Sequence, residues 1–141
     1  MRHLKSLTLI LMFFAILSCD PVFWTEIVNK SHHDLTLDII FDREEIEGVW
    51  EGRPYIDYVR SRINEGGSLI SFDTLNLIGR INIKPEETFT IEGGVGVEPD
   101  FFGVKHIFIY GEDTIRLENK EAMKKAFIKN GPRMYQLIII K

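Results

Sequence analysis

From His33 to Asp42 the chain alternates apolar and polar positions, with Leu35, Leu37, Ile39 and Phe41 on one side and Thr36, Asp38 and Asp42 on the other. A period of two marks a half-buried strand. Phe23–Asn29 reads as an opening strand, and Arg133–Lys141 as a closing one built on the run Leu137-Ile138-Ile139-Ile140. A continuous apolar run of that kind is expected of a strand that is covered on both faces or central in its sheet. Asn76–Lys84 and Thr88–Glu92 flank Lys84-Pro85-Glu86-Glu87, where Pro85 presets a turn, and the pattern predicts a hairpin. Val104–Tyr110 and Thr114–Glu118 predict a second hairpin across Gly111-Glu112-Asp113.

Two stretches follow a helical period instead. Asn119–Asn130 places Met123, Ala126 and Phe127 on one face, with Asn119 as its cap and Gly131-Pro132 as its stop. Pro54–Asn64 sets Ile56, Val59 and Ile63 on one side and ends near Gly66. The whole reads as an all-β chain: an antiparallel β-sandwich of about seven to eight strands, with one or two short helices in its connections.

The N-terminus follows a different logic. Arg2, His3 and Lys5 precede an uncharged, almost wholly apolar run from Leu7 to Leu17. That run fits the core of an export signal and is far shorter than the roughly 20 residues a membrane-spanning helix needs. Ile16-Leu17-Ser18-Cys19 resembles the bacterial lipobox, with an aliphatic residue, a tolerant position and a small residue before a cysteine. The resemblance implies a diacylglyceryl group on the Cys19 sulfur and cleavage just before it. An ordinary thiol is the alternative, but exported proteins generally carry paired cysteines, and Cys19 is the chain's single cysteine. Acyl chains contribute about 0.8 kcal/mol per buried CH₂, so two or three long chains on one residue make a permanent anchor. Residues 1–18 are accordingly expected to be a signal peptide, 19–23 a lipidated N-terminus and short tether, and 24–141 the sandwich domain.

Composition narrows the partners. Removing eighteen residues from 141 leaves 123, one ordinary domain. Arg2 and Lys5 leave with the signal, so 15 basic face 21 acidic side chains and the net charge moves from −4 to −6. That acidity opposes generic binding to nucleic acid or anionic headgroups. After the lipobox, Glu26-Ile27-Val28-Asn29-Lys30-Ser31-His32-His33-Asp34-Leu35 and Ile83-Lys84-Pro85-Glu86-Glu87 resemble the layout of small β-sandwich lipoproteins from the envelopes of some Gram-negative bacteria. The resemblance favours the sandwich; the expected address is the cell envelope, in the outer membrane of a Gram-negative bacterium.

Candidate chemistry is sparse. His32 and His33 on an extended chain point to opposite faces, so the pair does not chelate one ion, and a third ligand would have to come from afar, from His106 or Asp100. Gly93-Gly94-Val95-Gly96 lacks the Lys-Ser/Thr and helix start of a phosphate loop and reads as a turn or bulge, with no nucleotide role. Asp42, Glu44, Glu45 and Glu47 lack the spacing of a calcium loop and read as a solvated charge run. No Gly-x-Ser-x-Gly elbow is present, and no cofactor or metal is expected. Trp50, Arg53, Tyr55 and Tyr58, within Trp50–Arg62, are the candidate partner-binding residues, because exposed Trp, Tyr and Arg anchor partners. Packing against the flank of the sandwich is their alternative.

These features predict an envelope lipoprotein held to the membrane through Cys19. It acts by binding or structural association, with a membrane-proximal protein or glycan as partner; an envelope enzyme such as a hydrolase is the alternative. With four residues between Cys19 and Trp24, the domain is expected to ride against the membrane, with Phe23 and Trp24 near the headgroups or under the sandwich base. Cys19→Ala should abolish fatty-acid labelling and membrane retention while leaving the domain folded. Equal retention of the variant after a carbonate wash would refute the anchor.

Overall fold

The computed structural model describes residues 21–49, 55–96 and 98–141. Residues 1–18, where a signal peptide is expected, and Cys19, Trp50 and Arg53 lie outside the described residues. Among the described residues nine strands and three short helices follow one another: β1 (Val22–Asn29), β2 (Leu35–Phe41), α1 (Arg43–Val49), α2 (Tyr55–Arg62), β3 (Ser68–Asp73), β4 (Ile78–Ile83), β5 (Thr88–Val95), β6 (Val104–Tyr110), β7 (Thr114–Leu117), α3 (Lys120–Ala126), β8 (Ile128–Lys129) and β9 (Met134–Ile139). They form a β-sandwich of two sheets, one ordered β5-β1-β9-β8 and the other β3-β4-β2-β6-β7. Among the described residues no helix is long and apolar enough to cross a membrane.

The alternation in β2 sends Leu35, Leu37, Ile39 and Phe41 into the core, where they meet Ile27, Phe89 and Ile91 from the facing sheet. On the opposite side of β2, Asp38 takes both arms of the Arg80 guanidinium, at 2.7 and 2.6 Å. This bidentate pair bridges β2 and β4 in register. β6 and β7 form the hairpin that their sequence predicts.

Several expectations change. The Pro85 turn does not close a hairpin: β4 pairs with β2 and β3, and β5 pairs with β1 in the other sheet. The turn is an arch between sheets, held where the Glu86 amide donates to the Asn29 carbonyl at 2.8 Å and the Asn29 amide donates to Glu87 at 3.0 Å. β9 is an inner strand, but it runs parallel to β1, and Ile138 and Ile140 are exposed on the outer face. The acidic run after Phe41 is not free in solvent. It forms α1, with Asp42 Oδ1 accepting from the amides of Glu44 and Glu45 at its N-terminus. The single apolar residue near its middle, Ile46, is fully buried.

Asn29 ties both arches together. Its side-chain amide is fully buried and donates to the carbonyls of Ile83 and His33, each at 2.8 Å. Its oxygen accepts from the Ser31 amide at 3.0 Å and the Ser31 hydroxyl at 2.7 Å.

Helices pack beside the sheets. α3 starts where Asn119 accepts from the Ala122 amide at 2.8 Å, and it buries Met123 against β6 and β7. It ends earlier than its sequence predicts, because Ile128 and Lys129 leave it to pair with β9. α2 packs by Val59 and the following Ile63, both fully buried. Ile63 rests on Gly79 of β4, where an added Cβ would come within 2.5 Å of its Cγ2. Gly79→Ala should therefore cost about 1–3 kcal/mol through overpacking. Chemical denaturation measures this, and an unchanged midpoint would contradict the tight seating of α2.

Candidate functional site

A group of interacting polar side chains beside a cleft lies where α2, the end of β5 and the loop 98–103 meet. Tyr58 and Arg62 are four residues apart on α2 and so share a face. Arg62 Nη1 donates to the Tyr58 hydroxyl at 2.7 Å, and its guanidinium carbon lies 5.6 Å from that ring's centroid. Arg62 Nε donates to the Ile91 carbonyl at 3.1 Å, and Nη2 donates to the same oxygen. Ile91 is passed over in the β1–β5 register, which jumps from Thr25↔Glu92 to Glu26↔Thr90. Such a bulge re-aims the side chains beside it, and next to this one Glu92 is buried.

Glu92 organises the loop opposite. Its carboxylate accepts from the Phe101 amide at 2.9 Å and the Asp100 amide at 3.4 Å. Burial pushes the Glu92 carboxyl up to about 7, and Asp100 adds to the shift while Arg62 opposes it. Burial likewise raises the Tyr58 phenol, against the pull of Arg62. The loop's other supports are Glu45, which accepts from the Gly103 amide at 2.9 Å, and the Phe101–Phe127 ring pair at 5.3 Å. Gly103 adopts a φ of 70°, and a Cβ there would strike Ile46 at 2.8 Å, so glycine lets the loop pass over α1.

The resulting cleft measures about 320 Å³ and is lined by Phe23, Tyr58, Arg62, the Glu92–Val95 end of β5, Glu98, Asp100 and Phe102. Phe102 stands edge-on to Tyr58, with centroids 6.3 Å apart and planes at 66°. Two rings at that angle do not offer the flat paired surface on which a sugar stacks. The cleft offers carboxyl and guanidinium groups at a partly aromatic wall, suited to holding a polar group.

Of the sequence candidates, Tyr58 belongs to this cleft and Tyr55 does not. Tyr55 turns to α1, where its hydroxyl accepts from Arg43 Nη1 at 2.5 Å. Trp50 and Arg53 lie outside the described residues. His32 and His33 are exposed in the β1–β2 arch, with His33 Nε2 3.5 Å from Glu112. Gly93 and Gly94 extend β5 rather than turning it, and they help line the cleft. Glu92 and Phe102 carry no signal in the sequence and Asp100 stands out there only as a distant ligand for the His32-His33 pair; the bulge and the loop bring all three to the cleft beside Tyr58.

No protein-family model matches the chain, no curated protein matches its sequence, and no solved structure matches its fold.

Because the native Glu92 carboxyl titrates above its ordinary value of 4.5, the folded state holds a proton that the unfolded chain releases between pH 4.5 and about 7. Stability therefore falls as pH rises through that window and stays lower above it, by roughly 1–3 kcal/mol. Glu92→Gln, neutral throughout, should flatten this slope and melt above the wild type at about pH 8. Identical pH profiles for the two proteins would show that Glu92 is not held protonated.

Proposed function

We propose that this chain is an exported lipoprotein of the cell envelope, anchored through a lipid on Cys19 in the outer membrane of a Gram-negative bacterium. Its sandwich works by binding or structural association, with the Tyr58–Arg62–Glu92 cleft as the contact and a membrane-proximal protein as partner, or a glycan held through its hydroxyl groups rather than by stacking. One observation carries the placement of that contact: the Gly96 amide donates to the Pro21 carbonyl at 2.8 Å. That bond pins the chain two residues after Cys19 to the rim of the cleft, whose wall includes Phe23. Two extended residues span about 7 Å, so the cleft stands next to the anchor.

Binding is favoured over turnover because the charged groups are already engaged in holding the site together. Arg62 secures a bulge carbonyl and Tyr58, and Glu92 secures the loop amides. A second reading, an envelope hydrolase, draws on Glu92 alone, a carboxyl poised near neutrality beside Asp100.

Glu98 is exposed at the cleft, so Glu98→Lys reverses a surface charge there. A deletion strain carrying Glu98→Lys should lose function while the protein's abundance and melting temperature stay at wild-type values. Full complementation would count against the cleft. Loss of function in Glu92→Gln with partner binding intact would favour the hydrolase.

A further inference from the structure

The β1 register gathers apolar side chains at one corner. Val22 pairs with Val95, and Trp24 pairs with Gly93 on one side and Met134 on the other. Cross-strand partners share a face, as do residues two apart on a strand. Val22, Trp24, Val95 and Met134 therefore meet on the outer face of the sheet, at the end where the chain enters. Trp24 is 42% exposed and Val95 69% exposed, whereas Phe23, on the opposite face, is buried. A Cβ on Gly93 would stand 3.2 Å from the Trp24 ring, so the glycine makes room for the indole.

Resting on the lipoprotein reading above, we propose that this corner seats in the interfacial layer of the bilayer that holds the lipid on Cys19. Three observations select a bilayer as occupant. The chain reaches the corner within a few residues of Cys19, with Pro21 already fixed to Gly96. The exposed side chains are a tryptophan and aliphatic residues, and an indole has an apolar body with one polar N–H, the combination that settles at headgroup depth. Arg133, whose carbonyl accepts from the Trp24 amide at 2.9 Å, is an exposed cation next to the corner in the chain. A mature charge of −6 gives no long-range pull toward anionic lipid, so docking depends on the high local concentration that a short tether imposes. Because Val95 and Gly93 also line the cleft, docking sets its mouth at the membrane surface.

The lipidated full-length protein with Trp50→Phe leaves Trp24 as its single tryptophan. Reconstituted into phosphatidylethanolamine–phosphatidylglycerol vesicles with brominated acyl chains, it should show blue-shifted emission and lose about half its intensity relative to unbrominated vesicles. Val95→Glu should restore most of the intensity with the melting temperature unchanged. Fatty-acid label on Cys19 with unquenched Trp24 overturns the docking and leaves the lipoprotein reading standing. An unlabelled Cys19 overturns both. A blue shift that grows with protein density without bromine quenching assigns the corner to a second copy of the chain and likewise overturns the proposal.

Discussion

The side-chain amide of Asn29 is the point on which the two sheets depend. It sits at the end of β1 with all four of its hydrogen-bonding positions engaged, two as donor and two as acceptor. Its donors satisfy carbonyls of β4 and of the β1–β2 arch, and its backbone holds the β4–β5 arch. Each buried polar group left without a partner costs about 1–3 kcal/mol, so an apolar residue here would orphan several at once. The constraint is directional as well as energetic. With Glu86 and Glu87 fixed to Asn29, β5 is delivered beside β1, and the sandwich rather than a flat meander results.

The cleft follows from the same arrangement. Delivering β5 beside β1 exposes the other edge of β5 to α2, and the bulge at Ile91 gives Arg62 a carbonyl to hold. Glu92 then faces inward and gathers the loop amides, at the expense of a carboxyl that resists ionisation. One interruption of a strand ladder thus places a cation, a phenol and a near-neutral acid around one opening.

Much of the fold is legible in local pattern. β2 alternates cleanly, Asn119 caps α3, and Val59 with Ile63 marks the buried side of α2. What is illegible is long-range. The turn at Pro85 has the same local chemistry whether the next strand joins the same sheet or the opposite one. α1 escapes notice because Arg43-Glu44-Glu45-Ile46-Glu47 carries one apolar residue and so no stripe. Of the site, Tyr58 and Arg62 are readable as helical neighbours. Glu92 and Phe102 are not, since a bulge leaves no signature in an otherwise ordinary strand and the loop's path depends on Gly103 passing over Ile46.

The parallel pairing of β1 with β9 reaches into the protein's synthesis. Glu26 and Gln136 are neighbours separated by 110 positions, and their side chains are bonded at 2.9 Å. The inner pair of this sheet cannot form until the last strand is available, so the emerging chain has no early route to a finished sandwich. High sequence separation between partners slows folding. Before β9 is made, β1 has only β5 to pair with, and the four-stranded sheet stands half built.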